Sequence, residues 1–332
     1  MLHSNHKGNR IIHKNNKTMK QFKYIFLLIF SAFILTNCSE EGLLEETDLD
    51  QIDTEKVYSD VERTRAVLID LYARMREMTN SSSGSFSRLE DMGTTNSLLD
   101  NVTDDGGGMA GKSKALPHVN RMVTGGITSS VNFLPYTNPW NWFYRAIRNA
   151  NQFLANVDRS PLDDTEKKYA KAEARFLRAY YYHELMRWFG GLVITTDITD
   201  PFAFETTKRE DLETTIRFIV AEFDAVAQPG VLPTVWDDAN FGRVTRGAAL
   251  GYKARTLLYG ASPLYKKNGS TVTWQEAANA AKDLMDLNIY QLYYDTTDPA
   301  KSYSRLFNER VNSENIFQYL RGDKSDLYNN FP

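Results

Sequence analysis

Residues 163–191, DDTEKKYAKAEARFLRAYYYHELMRWFGG, decide the fold. Tyr169, Ala172, Phe176, Ala179, His183 and Met186 fall at spacings of 3, 4, 3, 4 and 3. That period puts them on one face of an α-helix. Asp163 followed by Glu166 has the pattern of a capping box, and Gly190-Gly191 supplies a stop. The stretch therefore predicts a helix from about Thr165 to Phe189.

Working outward, Ser160-Pro161-Leu162 separates this helix from another. Asn138 suits its N-cap and Pro139 its first residue, and Trp140, Phe143, Ile147, Ala150, Leu154 and Val157 repeat the 3, 4 spacing. Downstream, Leu192-Val193-Ile194 is expected to be a short buried extension. Helices are predicted over Arg209–Val226, Thr245–Tyr265 and Trp274–Asn288. Toward the N-terminus, Asp53 caps a helix that carries Val57, Val61, Leu68, Leu71, Tyr72 and Met75 and ends at Ser81-Ser82-Ser83-Gly84. Small residues (Ala248, Ala249, Ala254 and Ala261; Ala277, Ala278, Ala280 and Ala281) mark where helices approach closely. The pair from Thr245 through Leu287 resembles a tetratricopeptide unit, whereas the other pairs do not keep a clean period. The expected fold is mainly α: TPR-like antiparallel helix pairs forming a superhelical scaffold, with long irregular loops.

The 332 residues carry a formal charge of -3, unevenly spread. Residues 1–38 hold Lys7, Arg10, Lys14, Lys17, Lys20 and Lys23 and no acidic group, so the remaining 33 basic residues face all 42 acidic ones. So acidic a body repels phosphate backbones, which argues against nucleic acid as a partner. From Met19, the basic Lys20 and Lys23 precede an apolar run from Tyr24 to Thr36. At ~1.5 Å per residue this run spans about 20 Å, short of the ~30 Å hydrocarbon core, so it reads as a signal-peptide core. Residues 1–18, with His3, His6 and His13, are polar and patternless, and read as sequence ahead of a start at Met19 or as an extension.

Cys38 is the only cysteine, so an internal disulfide is excluded. Leu35-Thr36-Asn37-Cys38 resembles a bacterial lipobox, with Asn37 where a small residue is usual. On that reading Cys38 is acylated, palmitate-type chains hold the protein to a membrane, and no spanning helix is needed. Ser39-Glu40-Glu41 resembles the acidic signal that sends Bacteroidetes lipoproteins to the outer face of the outer membrane. The expected organisation is residues 1–37 as extension and signal peptide, 38–52 as an acidic tether, and 53–332 as a helical domain.

Ala172-Glu173-Ala174-Arg175-Phe176-Leu177-Arg178-Ala179-Tyr180-Tyr181-Tyr182, closing in Arg187-Trp188-Phe189-Gly190-Gly191, closely resembles the central signature of the SusD/RagB family. Matching segments follow the family's order. They are Trp140 to Asn151 (WNWFYRAIRNAN), Gly242-Arg243-Val244-Thr245 with Ala248-Ala249, Lys253-Ala254-Arg255, Leu257-Leu258-Tyr259, Tyr290-Gln291-Leu292 and Glu314-Asn315-Ile316-Phe317. The resemblance covers roughly residues 40–320. It implies an outer-membrane lipoprotein that caps a SusC-like TonB-dependent transporter and delivers glycans or, in some members, peptides. It also implies no cofactor and no catalysis. Family members usually run longer, so the resemblance further implies an incomplete C-terminal portion, and with it the alternative of a non-functional fragment.

Other motifs carry less. Gly106 to Ser113 (GGGMAGKS) matches a phosphate loop, but that loop needs a strand before and a helix after it. Here Asp104-Asp105 precedes and Pro117 follows, so a flexible glycine-rich loop is the better reading. Asp100, Asp104 and Asp105 lack the EF-hand order, because Val102 stands at its third position. His118 and His183 have no second ligand at metal spacing, and no metal site is expected. A glycosidase would need a marked carboxylate pair, and none stands out among 42 acidic residues. Glu173 and Arg175 are expected to bond between helices, and Trp140, Trp142 and Trp188 to pack in the core. Ligand contacts are sought in loops, where aromatic faces stack on sugar C–H faces and polar groups meet hydroxyls. The Gly/Ser/Asn-rich segment 80–136 offers Phe86, Arg88, Asp91, Asn96, Asn101 and Asn132. The loop before Arg243 offers Trp236, Asp237, Asp238 and Asn240. Trp236 is the leading aromatic, since an exposed loop tryptophan is costly without use.

Overall fold

The computed structural model describes residues 54–76, 139–198, 208–306, 308–309 and 311–318. The signal-peptide segment, Cys38, the tether, Asn138, segment 80–136 with its glycine-rich loop, and His118 lie outside the described residues. The described helices are α1 (Thr54–Tyr58), α2 (Val61–Arg76), α3 (Pro139–Asn156), α4 (Asp164–Phe189), α5 (Leu212–Ala227), α6 (Arg246–Ala261), α7 (Pro263–Lys267), α8 (Trp274–Met285) and α9 (Ser302–Leu306). No strand occurs among the described residues. Helix α3 packs on α4, α4 on α5, α5 on α6 and α6 on α8, while α2 lies against both α3 and α4. The turn from α3 to α4 is short, so these neighbours run antiparallel. The expected TPR-like helix pairs are present.

Helix α4 is the axis of the stack. Its 26 residues span about 39 Å at the usual rise. Between Ala170 and Met186, burial extends round all sides of the helix, the pattern of a helix packed between others. Its rings reach every neighbour: Phe143 of α3 lies 5.9 Å from Tyr181, Phe223 of α5 lies 5.4 Å from Phe176, and Tyr252 of α6 lies 5.3 Å from Tyr180. The Tyr181 hydroxyl donates to the Leu71 carbonyl of α2. A helix this enclosed leaves most of its polar side chains to find partners inside the protein. Arg178 donates to Asn151 Oδ1 (2.8 Å) and Glu222 Oε2 (2.6 Å), and Arg175 to Glu222 Oε1 (2.7 Å). Arg175 thus bonds between helices, as its place in the signature suggests.

After α4 the chain turns at Gly190, whose φ of +72° lies in the left-handed region that favours glycine. Gly191 then passes so near α5 that an added Cβ would collide with the Glu210 carbonyl. Leu192 is buried, while Val193 and Ile194 are half-buried. This extended segment has side chains where a sheet would offer a neighbouring strand. The Tyr144 hydroxyl accepts from Val193 N and donates to Val193 O (both 2.9 Å). Tyr182 does the same for Thr195 at 2.9 and 3.0 Å. Asn151 Nδ2 donates to the Thr195 and Asp197 carbonyls.

Several predicted boundaries shift, each for a local reason. The first helix breaks at Ser59-Asp60, where the Asp60 side chain caps α2 by accepting from Arg63 N (2.8 Å). Helix α5 starts at Leu212 because Asp211 accepts from Thr214 N (2.7 Å). The predicted 245–265 helix is two, since Ser262 turns extended (ψ 153°) ahead of Pro263. Helix α8 has a full capping box, Thr273 with Glu276, and ends at Met285 instead of Asn288. Only half of the capping box expected for α4 forms. Asp163 accepts from Glu166 N, but the Glu166 carboxylate binds Arg65. Ala278 and Ala281 are exposed, unlike Ala277 and Ala280, so α8 meets its neighbour on one side only.

G191A should lower stability by about 1–3 kcal/mol, read from the urea midpoint at constant slope, because backbone must move to admit the methyl. His183 is fully buried beside α6. The Thr256 hydroxyl donates to Tyr252 O (2.8 Å), so it accepts from His183 Nδ1–H (2.9 Å) and fixes the tautomer of the neutral ring. Burial, aided by Arg187 and Arg255, pushes the His183 pKa down to about 3. Unfolded chains therefore take up this proton near pH 6.5 and the folded protein does not, so the His183 contribution falls as pH drops from about 6.5 toward 3. Buried Glu173 and Glu184, whose pKa values burial raises, act in the opposite sense. Comparison with H183Q isolates the histidine. From pH 7 to pH 5 the variant should gain about 1–2 kcal/mol relative to the parent in urea unfolding; a constant difference would contradict the assignment.

Candidate functional site

The loop between α5 and α6 is built by its own short-range chemistry. Asp237 Oδ1 accepts from Asn240 N (3.0 Å) and Nδ2 (2.7 Å), closing a 3-10 turn over 238–240. Gly242, at φ +96°, reverses the chain, and Thr245 caps α6. Asn240 Oδ1 accepts from Arg243 Nη1 (2.7 Å), which aims the rest of the guanidinium into the protein.

There Arg243 meets Glu173, fully buried in α4. Nε lies 3.2 and 3.1 Å from the two carboxylate oxygens, and Nη2 donates to Oε1 as well. The Tyr72 hydroxyl of α2 donates to Glu173 Oε2 (2.5 Å) and accepts from Val244 N (2.9 Å). Burial raises the Glu173 pKa, while Arg243 and Tyr72 oppose that shift. Burial also carries the Tyr72 hydroxyl well above its ordinary value, and neighbouring Glu173 adds to the rise. One carboxylate therefore ties together α2, α4 and the loop. Glu173 bonds between elements, as its place in the signature predicts.

Above this cluster opens a groove of about 980 Å³. Leu68, Ile69 and Ala73 of α2 line it, and Tyr169, Trp236 and Phe317 contribute aromatic surface. Trp236 and Tyr169 meet edge to face at 5.2 Å, and the Arg243 guanidinium lies 4.2 Å from the Trp236 ring centre. At the rim, Arg65 grips Glu166 with two bonds, Nε to Oε1 (2.7 Å) and Nη2 to Oε2 (3.0 Å), and donates to Glu62 (2.8 Å). A smaller hollow of about 280 Å³ lies against the same loop and shares Trp236, Gly242 and Arg243. Among the described residues no group of three or more His, Cys, Asp or Glu side chains is arranged to hold a metal ion.

Of the residues singled out in sequence, Trp236 and Asn240 come together at this groove. Trp236 is half-buried, where an exposed ring was expected: its indole N–H donates to Val244 O (2.8 Å) and Arg243 packs against its ring. Asn240 spends its amide on Asp237 and Arg243, so it shapes the loop. Asp237 is the turn's cap, and Asp238 borders the smaller hollow. Phe86, Arg88, Asp91, Asn96, Asn101 and Asn132 lie outside the described residues. Trp140 and Trp142 pack as expected, Trp140 edge-on to Phe189 at 5.2 Å and Trp142 with its N–H toward Arg74 O (3.4 Å). Nothing in the sequence marks Ile69 or the Arg65–Glu166 pair as part of a site. Tyr169 opens the apolar stripe of α4 near its capped end, and there the stripe emerges from the core into the groove.

An aromatic-lined groove on stacked antiparallel helix pairs places the described residues in the TPR-like class of helical scaffolds. Residues 49–258 match the SusD-like family described as starch-binding and associating with the outer membrane, and the chain belongs to that family. It is 25% identical over 293 residues to a SusD-like protein of Formosa agariphila, spanning 85% of this chain and 49% of the relative. A SusD-like protein of Bacteroides fragilis has the same fold at a TM-score of 0.57 and 22% identity, over 82% of this chain and 47% of its own. A laminarin-binding SusD-like protein gives 0.57 and 22%, over 78% and 51%. The chain spans about half the length of the relatives it matches.

The buried pair can be tested by a cycle of variants. R243M leaves Glu173 buried without its cation and should cost about 3–5 kcal/mol. The double variant E173L/R243M should recover a large part of that loss, because an apolar pair leaves no charge uncompensated. Urea unfolding of the parent, both single variants and the double variant gives the coupling, and simple additivity would contradict it.

Proposed function

We propose that this chain is a cell-surface glycan-binding lipoprotein that captures oligosaccharides or polysaccharides and passes them to a SusC-like TonB-dependent transporter. In this reading residues 1–37 carry the export signal, acylated Cys38 anchors the protein in the outer membrane facing outward, residues 38–52 act as tether, and 53–332 form the binding body. The function is capture without turnover. Family membership supports the carbohydrate class and the association with the outer membrane.

The observation that carries the reading is the groove itself. Its aromatic surface comes from Tyr169 on α4 and Trp236 in the loop ahead of α6, elements that the Glu173 cluster ties together, so it is formed before any ligand arrives. A preformed site loses less entropy on binding than one that must order itself. Tyr169 and Trp236 offer ring surface of the kind that stacks on the apolar face of a pyranose, and about 980 Å³ lies at the top of the usual ~300–1,000 Å³ range for ligand sites. The laminarin-binding relative makes β-glucans the first class to try.

Calorimetric titration of the folded chain with α-glucans, β-glucans and mannans should give saturable binding to at least one of them. Y169A and W236F should each weaken that binding, Y169A by roughly tenfold for the ~1–1.5 kcal/mol of a lost ring contact. Binding that survives both changes undiminished would move the site away from this groove.

A further inference from the structure

The rim of the groove carries a charge pattern that aromatic stacking does not require. Asp163, Asp164 and Glu166 line it beside Arg65, with the Arg243–Glu173 pair beneath. Both arginines are already engaged, Arg243 by Glu173 below and Arg65 by Glu166 and Glu62 at the edge. The N-terminus of α4 also opens here, and the positive end of a 26-residue helix would ordinarily welcome an anion. Its own side chains have taken that place: Asp163 caps it by accepting from Glu166 N (2.8 Å), and Asp164 and Glu166 stand in its first turn.

From this arrangement we propose that the groove selects uncharged glycans and rejects those bearing carboxylates or sulfates. The proposal rests on the groove being the glycan site and names the class of sugar that it takes. A uronate or sulfate ester entering the groove meets Asp163 and Asp164 as like charges. To gain a cation it must displace Glu166 from a two-bond grip on Arg65, where ligand and protein carboxylates compete for the same fork. A neutral pyranose meets no such contest. It can stack on Tyr169 and Trp236 while its hydroxyls donate to the rim carboxylates.

The test compares neutral oligomers (an α-glucan, a β-glucan and a mannan) with oligogalacturonate of similar length, by calorimetry at two salt concentrations. At least one neutral oligomer should bind at least tenfold more tightly than oligogalacturonate, with an affinity that salt leaves nearly unchanged. E166Q removes one rim charge and leaves Glu62 as the one carboxylate on Arg65, so the ratio of oligogalacturonate to neutral affinity should rise about tenfold. D164N should raise it to a smaller degree. Oligogalacturonate binding as tightly as every neutral oligomer would overturn the selectivity while keeping the groove as a glycan site. An unchanged ratio in both variants would overturn the role given to the rim. Binding of neither class would overturn the glycan reading of the groove, and this inference with it.

Discussion

A carboxylate sealed inside a protein persists only if a cation and hydrogen-bond donors come to it, and Glu173 draws both from outside its own helix. Arg243 arrives from the loop ahead of α6 and Tyr72 from α2, at sequence separations of 70 and 101 residues. Leaving any of these groups without the others would place an unpaired polar or charged atom in the core, a penalty of several kcal/mol. The contact therefore fixes where α2 and the loop lie with respect to α4. The groove above inherits that geometry: Tyr72 and Arg243 are parts of both the ionic cluster and the groove lining. A site whose walls also neutralise a buried charge cannot relax far without exposing that charge.

The same economy of partners governs the rest of α4. Tyrosine recurs along it because a phenol fills core volume and still keeps a polar tip. Tyr181 uses that tip on α2 and Tyr182 on the extended segment after Gly191, where the hydroxyl both gives and accepts. Phenylalanine would pack as well and leave Thr195 without those bonds. The run Tyr180-Tyr181-Tyr182 is thus three residues facing three different neighbours, not a repeated contact.

Much of the fold was legible because periodicity and caps are local. The stripe from Tyr169 to Met186, the cap at Asp163 and the stop at Gly190 are all written within a few residues. The breaks at Ser59-Asp60 and Ser262 were local as well, but the apolar spacing ran through them and concealed them. The site was legible in part. Trp236 and Asn240 stood out as an aromatic and an amide in a loop, yet nothing nearby showed that Arg243 would press against the indole. Arg65 and Glu166 lie 101 residues apart, and their pairing follows from how α2 crosses α4, a relation that one sequence does not display.

From α3 to α8 each long helix leans chiefly on the one before it and the one after it. Such an array resembles a one-dimensional chain of coupled units, in which cooperativity is passed from neighbour to neighbour and weakens with distance. Fluctuation should then be graded along the molecule. Among the described helices, α8, which packs on the single long helix α6, should open before α4, whose segment from Ala170 to Met186 is enclosed. The groove is rooted in α4. Local opening of α8 can therefore come and go while the part of the groove built on α4 keeps its shape, so that wear in one helix need not spread to the other.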